Sequence, residues 1–492
     1  MEQRTQVRWR PPAGRAGGTS PSPYDRRVPP LPLRELARSR RGARVVAVAL
    51  ALQLLAGAGA AVLVEEQPTA GSRPTVPQAR IAPPAGAVDD PAGPQSQISR
   101  ERREREVRAL LESRGAAVLA RDEAAFLSGI DPAAPELRAR QAALFAALAE
   151  VPLSTWRYAL DPSRQRPGDA VLDREYGVGR WWAPDVLLEH ALAGYDERPT
   201  ADAQYLTFVQ RDGRWWLGAD DDFAAVGRAT ERQLWDSGPV TAVRVDEVLV
   251  LGRTADERLL RNVATLAAQA VPRVTAVWGE QWRRGLVVLV PGSGEELGEL
   301  IDSDGDLDQI AAVATAELSG GAGEFDPTGD RVLVNPGPFT RLGQLGRQVV
   351  LTHEVTHVAT RRATGPAVPA WLAEGFADYV GYRGVELPLG VSARELRADV
   401  RAGRLPDRLP SDSAFDGANP ALAQAYEQSW LAVRHLVEVH GEQAVLRFYR
   451  AVGARRDVDP AAAVEQALAG ELGTTTAELT QGWRAALQRD LG

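Results

Sequence analysis

The chain has 492 residues, a formal net charge of −8 at pH 7 and no cysteine. The length allows about three domains of roughly 150 residues each, and a hydrophobic share of 44% allows sizeable cores. The charge gives no support for nucleic-acid binding. Without cysteine the chain forms no disulfides, thiolate metal sites, cysteine nucleophile or lipid-modified N-terminal cysteine.

The N-terminal stretch predicts a tail followed by a membrane anchor. Residues 1–40 are rich in Arg, Pro, Gly and Ser and predict a disordered cytoplasmic tail. Residues 45–64 are apolar except for Gln53, with arginines before them and two glutamates after them. About 20 apolar residues span a bilayer as a helix, and flanking arginines stay in the cytoplasm. We therefore predict a single-pass signal anchor over 41–66 that crosses the cell membrane through 45–64, with the later domains extracytoplasmic. A cleaved signal peptide and a buried soluble helix are the alternatives.

A Pro/Gly-rich linker is predicted at 67–97, and an α+β domain at 98–232. Amphipathic helices come first, and strands with a hairpin turn at Asp212-Gly213 follow. Helices followed by a curved antiparallel sheet resemble the cone-shaped domains of the nuclear-transport-factor-like superfamily. Four tryptophans are expected to pack on the sheet rather than line a pocket, and they are Trp181, Trp182, Trp215 and Trp216.

A second α+β unit is predicted at 240–492. Strands at 246–252, 285–292 and 330–337 precede a mainly helical half that starts near Leu342. A capping box, Thr254 with Glu257, predicts the start of the helix between the first two strands.

Two of the five histidines stand four residues apart in "LTHEVTHVAT" (351–360). In a helix such residues are about 40° apart around the axis and about 6 Å apart along it, so His353 and His357 can bind one metal ion. Glu354 is rotated about 100° from His353 and can reach a water at that ion. A purely structural helix with solvated histidines is the alternative.

A catalytic zinc site needs three protein ligands and an open position. The helical stretch "PAWLAEGFADYVGY" (369–382) supplies Glu374 as the third ligand. Asp378 lies one turn further and is placed to hydrogen-bond the outer nitrogen of a liganding histidine. Gly375 and Ala377 are small enough to let this helix approach the first one closely.

The HExxH motif together with Trp371-Leu372-x-Glu374-Gly375 resembles the gluzincin metallopeptidases, and most closely their short peptidase-MA-like branch. The resemblance covers about residues 240–492 and implies one zinc ion, a peptide or protein substrate, and hydrolysis by a zinc-activated water with Glu354 as general base. It also implies a tyrosine or histidine that stabilises the oxyanion from a later helix. Tyr426 is the preferred candidate, with His435 and His440 as alternatives. An extended peptide substrate is expected to pair with the strand at 330–337 as an edge strand.

The sequence therefore predicts a membrane-anchored extracytoplasmic zinc peptidase. A catalytically silent binding or scaffold protein on the same fold is the main alternative, although the presence of Glu354 argues against it. A metal-dependent hydrolase of non-peptide substrates is a third possibility.

Overall fold

The computed structural model describes residues 44–50, 94–166, 168–253, 256–303, 305, 307–318, 327–416, 419–456 and 458–492, with the backbone alone for 44–50 and 94–98. The predicted tail, the linker up to residue 93 and residues 51–64 lie outside these ranges. Arg44–Leu50 form strand β1 rather than the start of the predicted helix. Across the described ranges, no helix is both long and apolar enough to cross a membrane. The anchor stays a prediction.

The unit after residue 93 combines helices with antiparallel strands. Its elements are α1 (Pro94–Ala120), α2 (Glu123–Leu127), α3 (Pro135–Ala147), β2 (Leu153–Gln165), α4 (Ala170–Tyr176), β3 (Trp181–Trp182), β4 (Pro184–Leu192), β5 (Thr200–Gln204), β6 (Thr207–Arg211) and β7 (Arg214–Ala219). The predicted hairpin is confirmed, because Asp212 and Gly213 connect β6 to β7 with φ of 50° and 73°, as a two-residue turn requires.

The sheet arrangement of this unit differs from the prediction. Instead of one curved sheet, the strands form two three-stranded sheets, β2-β4-β5 and β3-β6-β7. The division falls where β3 ends at Trp182 and β4 begins at Pro184, which has no backbone N–H to continue a ladder. The resemblance to a cone-shaped domain stays a prediction.

The tryptophans of this unit are in packed surroundings, as expected. Trp182 is buried against Phe208, and its indole N–H donates to Gln165. Trp181 donates to Asp173, and Trp215 is buried. Trp216 lies under the guanidinium of Arg214. These side chains therefore contribute to the sheets rather than to one shared pocket.

A six-stranded mixed sheet forms the centre of the second unit, in the order β1-β11-β12-β10-β9-β8. Its strands after β1 are β8 (Thr241–Val245), β9 (Val248–Gly252), β10 (Leu286–Val290), β11 (Ile310–Leu318) and β12 (Pro327–Val334). The strand predicted at 330–337 is β12, but its position at the edge is wrong, because it pairs with β10 on one side and β11 on the other. The strand on its outer side is β11, which β1 joins in antiparallel register.

Helices complete this unit and include most of its second half. They are α5 (Glu257–Trp278), α6 (Gly294–Ile301), α7 (Pro336–Arg341), α8 (Gln344–Thr360), α9 (Ala370–Tyr382), α10 (Leu389–Ser392), α11 (Arg394–Arg401), α12 (Leu422–His440), α13 (Glu442–Gly453), α14 (Pro460–Ala467) and α15 (Thr476–Leu491). Thr254 of the predicted capping box lies outside the described residues. The N-cap of α5 is Asp256, which accepts from the N–H groups of Arg258 and Leu259. The fold is therefore α+β with a mainly helical C-terminal half.

The two faces of the six-stranded sheet are covered by different partners. Alternating residues such as Val250, Val288 and Val332 join the core formed with α5, α8 and α9. The intervening residues, such as Leu289 and Leu333, join the core of the N-terminal unit. Successive side chains of a strand point to opposite faces of the sheet. The sheet therefore lies between the helices of its own unit and the N-terminal unit.

A buried ion pair fixes the contact between the units. Arg331 on β12 donates from both terminal nitrogens to the carboxylate of Asp196, at 2.7 and 2.8 Å. The side chains are 12% and 2% exposed. A second contact comes from Arg362, which binds Glu197 at 3.0 Å.

Candidate metal centre

Helix α8 carries the two histidines on a face that is buried in the protein. Val349, Val350, Leu351 and Val355 pack into the core and hold the helix against the sheet and α5. His353 and His357 are buried, and their rings stand 4.7 Å apart at 70°. The predicted helix and the predicted i, i+4 arrangement are confirmed.

Glu374 on α9 lies opposite these rings. Its Oε2 is 3.2 Å from the Nε2 atom of His353 and 3.2 Å from that of His357, and the two Nε2 atoms are 3.0 Å apart. Zinc bonds of 2.0–2.1 Å at tetrahedral angles separate ligand atoms by about 3.3 Å. The three side chains predicted as ligands therefore fit one zinc ion. They are the one such group of histidine and acidic side chains within the residues that the structure describes.

The electrostatics of Glu374 also suit a metal ligand. Burial alone would raise the pKa of this carboxyl, but the two neighbouring histidines lower it to about 2. Glu374 is therefore ionised at neutral pH and offers a negatively charged oxygen.

Asp378 occupies the predicted position one turn beyond Glu374. Its Oδ1 accepts a hydrogen bond from Nδ1 of His353 at 2.7 Å, and both side chains are buried. This bond leaves Nε2 of His353 as the nitrogen directed at the centre and fixes the orientation of the ring.

Close backbone approaches hold α9 in place, although not through the contact expected from the sequence. A Cβ on Gly375 would lie 2.3 Å from the carbonyl oxygen of Ser429, so this glycine admits α12 rather than α8. The approach to α8 occurs at Gly381, where a Cβ would lie 3.1 Å from the carbonyl oxygen of Val349. Helix α9 is therefore fitted between α8 and α12.

Glu354 stands beside the group but takes no part in it. Both carboxylate oxygens are buried and lack a hydrogen-bond partner of normal geometry among the described residues. Burial raises the pKa of Glu354 to about 8, while His353 and the backbone of Ala314 on β11 oppose the increase. A bound divalent cation would lower this pKa again. Such a carboxyl can accept and release a proton near neutral pH.

Helix α12 distinguishes between the candidates for the oxyanion donor. The ring of Tyr426 is buried, 6.2 Å from the ring of His353, and packs edge-on against Phe415. His435 faces α15, where a Cβ on Gly482 would lie 2.7 Å from its Nε2. His440 is the last residue of α12. Tyr426 is thus placed beside the histidines, and His435 is turned away from them.

Two features beside the centre were not predicted from the sequence. One is strand β11, whose Ala314 adjoins Glu354. The other is Arg361, which follows the last residue of α8 and binds Asp330. The sequence did contain a clue to Arg361. It lies four residues after His357, the spacing that places two helical residues on nearly the same face.

No protein-family model matches this chain, and no curated protein matches it. Among solved structures, the chain is similar to crystal structures of an M1 zinc metallopeptidase from Deinococcus radiodurans. A mutant of that enzyme is 17% identical, with a TM-score of 0.30 over 57% of this chain and 59% of that chain. Another structure of the enzyme is 16% identical, with a TM-score of 0.27 over 57% and 58%. A mutant bound to a Tyr-Ser-Ala substrate is 17% identical, with a TM-score of 0.26. The chain spans less than two thirds of each of these proteins, and a likeness of this degree assigns no activity to it.

Proposed function

We propose that this chain is a membrane-anchored zinc peptidase that hydrolyses peptide bonds outside the cytoplasm. The observation that carries the proposal is the convergence of His353, His357 and Glu374 on one point. The Glu354 carboxyl is buried beside them and has no hydrogen-bond partner of normal geometry among the described residues. Three protein ligands with a neighbouring base are the arrangement of a catalytic zinc site rather than a closed structural one. The membrane anchor rests on the sequence of residues 45–64 alone, and it requires Arg44–Leu50 to leave their pairing with β11.

The chemistry divides between the ion and the protein side chains. Bound zinc supplies Lewis acidity towards the peptide carbonyl and makes a water more acidic. The Glu354 carboxylate accepts the proton of the attacking water and passes it to the leaving amine nitrogen. The hydroxyl of Tyr426 donates a hydrogen bond to the developing oxyanion. Asp378 keeps the His353 ring in the required tautomer and orientation.

The path of the substrate follows from the sheet. Strand β11 adjoins Glu354, and the main chain of β1 pairs along its outer side from Arg44 opposite Glu317 to Leu50 opposite Ile310. When β1 leaves this side of β11, as the proposed anchor requires, an extended peptide can take its place through main-chain hydrogen bonds. Strand β11 therefore replaces β12, the strand predicted at 330–337, as the proposed docking strand for the substrate.

The alternative of a silent scaffold is disfavoured by Glu354. A buried carboxyl without a hydrogen-bond partner of normal geometry among the described residues is energetically unfavourable. A protein that only binds partners gains nothing from its presence. A hydrolase of non-peptide substrates would use the same centre. Cleavage assays on peptides therefore distinguish this alternative from a peptidase.

The test uses the full chain, with zinc content measured by mass spectrometry and cleavage measured on a peptide library. Wild type should contain about one zinc per chain and cleave peptides. Glu354→Gln should keep zinc and fold while its turnover falls about 10²–10⁴-fold. Glu438→Gln, the same change at an exposed position of α12, is the matched control and should behave as wild type. A Glu354→Gln protein that retains turnover within a few-fold of wild type would contradict the assignment of the base.

The ligands are tested separately. Alanine at His353, His357 or Glu374 should abolish zinc binding, whereas His440→Ala at the end of α12 should leave it unchanged. Full zinc content in the three ligand variants would show that the metal is held elsewhere.

A further inference from the structure

Arg361 extends the functional face of α8 by one more turn. It follows Thr360, the last residue of the helix, and keeps right-handed helical backbone angles of φ −45° and ψ −52°. At 100° per residue it lies about 40° around the axis from His357 and about 6 Å further along it. Its side chain therefore leaves the helix on the side that carries the two histidines.

The guanidinium of Arg361 is buried, and its hydrogen-bonding capacity is only partly used. The residue is 4% exposed, and its Nε donates to Oδ1 of Asp330 on β12 at 3.1 Å. Its Nη2 is also buried and has no hydrogen-bond partner within the part of the chain that the structure describes. A buried charged donor without a partner is unfavourable, so a group that completes it would be bound strongly.

The neighbouring arginines differ from Arg361 in this respect. Arg331 uses both of its terminal nitrogens on Asp196, and Arg362 binds Glu197 from the surface with its side chain 71% exposed. Arg361 instead contacts the Asp330 carboxylate through Nε, and its Nη2 has no hydrogen-bond partner among the described residues.

The positive charge of Arg361 lies close to the centre along the chain. One helical turn, about 6 Å along the axis of α8, separates it from His357. A peptide bound at the centre and extending along α8 would therefore pass this guanidinium. The same charge favours an anionic group on that peptide.

We propose that Arg361 is a specificity-determining residue, whose Nη2 binds a carboxylate of the peptide substrate beside the bond to be cleaved. This inference rests on the proposed peptidase function and adds a substrate class to it. The carboxylate comes from an acidic side chain or from the free C-terminus of the peptide, and both sources present the same planar pair of acceptor oxygens to the guanidinium.

The experiment measures binding, so that it needs no turnover. Zinc-loaded full-length Glu354→Gln protein is titrated by calorimetry with peptides taken from the library. In the first set, the two peptides of each pair differ only in having Glu or Gln at one position, and that position is moved stepwise along the peptide. A second set differs only by a free or an amidated C-terminus. The carboxylate member of one set should bind about 10–100-fold more tightly, since hydrogen bonds to charged groups are the strong ones. The set that shows the difference identifies the source.

Variants then assign the preference to Arg361. Because Arg361→Gln alone leaves the Asp330 carboxylate buried without its cation, the test variant is Arg361→Gln combined with Asp330→Asn. This double variant should lose the preference while it binds the uncharged peptides as before. Arg362→Gln is the matched control and should retain the preference.

The possible failures are distinguishable. Equal affinity within all pairs overturns the role of Arg361, even if the wild-type enzyme contains zinc and cleaves peptides. A preference that survives in the double variant also overturns it. If the wild-type chain cleaves no peptide, the proposed function is wrong, and the absence of any peptide binding would refute both proposals.

Discussion

Replacing Asp378 by alanine is expected to weaken zinc binding about 10–100-fold without abolishing it. The carboxylate accepts the Nδ1–H of His353 at 2.7 Å, and both groups are buried, so solvent cannot replace the lost acceptor. A loss of 10–100-fold corresponds to about 1.4–2.8 kcal/mol. This is the size expected for a charge-assisted hydrogen bond that is removed on one side. Asp378→Asn keeps an acceptor oxygen and should lose less than the alanine variant.

The assay is competition for zinc against a chelator of known affinity, followed at equilibrium for wild type, Asp378→Ala and Asp378→Asn. Circular dichroism of each variant controls for loss of fold. The three ligands are unchanged in both variants, so a measured loss reports the orientation and basicity of His353. Affinities that are equal for the alanine variant and wild type would refute the role of Asp378. Complete loss of zinc in a folded variant would show that His353 cannot bind the ion without this hydrogen bond.

Three further predictions concern other contacts of the centre and its support. Tyr426→Phe should lower turnover about 10²–10³-fold with unchanged zinc content, while His435→Ala should have little effect. The reverse result in steady-state kinetics would assign the role of oxyanion donor to His435. Arg331→Met should reduce the free energy of unfolding by about 3–5 kcal/mol, because it leaves the buried Asp196 carboxylate without its cation. In denaturant titrations, adding Asp196→Asn should restore part of this loss. An unchanged unfolding midpoint in Arg331→Met would contradict the prediction. Gly375→Ala should cost about 1–3 kcal/mol, since its Cβ would lie 2.3 Å from a carbonyl oxygen of α12; a melting temperature equal to that of wild type would show that the helices can separate freely.

The metal ligands could be predicted because their positions follow from local periodicity. Spacing of four residues in one helix brings His353 and His357 together without knowledge of the rest of the fold. Glu374 and Asp378 share the same geometry on a second helix. Only the packing of the two helices had to be assumed, and the contacts at Gly375 and Gly381 show that α9 is held from both sides.

Strand β11 could not be predicted because its composition does not favour a strand. Residues 310–318 read "IAAVATAEL", and alanine is depleted in strands relative to β-branched residues. The segment adopts the strand because it pairs along β12, from Leu318 opposite Pro327 to Ala312 opposite Val334. Tertiary pairing overrides local preference here, and the edge beside Glu354 was therefore assigned to the wrong strand.

The role of α12 was partly predictable from its sequence. Tyr426 and His435 are nine positions apart, which places them on opposite faces of the helix, so only one of them can face His353 and His357. Which face turns inward depends on the neighbours of the helix. Close approach of α9 on one side and of α15 at Gly482 on the other decides it, and these contacts join segments that are far apart in the sequence.

The position of the six-stranded sheet between the two units has a consequence for experiments on fragments. A chain that began at residue 240 would expose to water the side of the sheet that carries Leu289 and Leu333, and it would leave the guanidinium of Arg331 without its carboxylate. Such a fragment would be prone to aggregation, since large exposed apolar surfaces associate. The two units should instead unfold in a single transition. The N-terminal unit therefore covers an apolar face of the six-stranded sheet that water would otherwise reach.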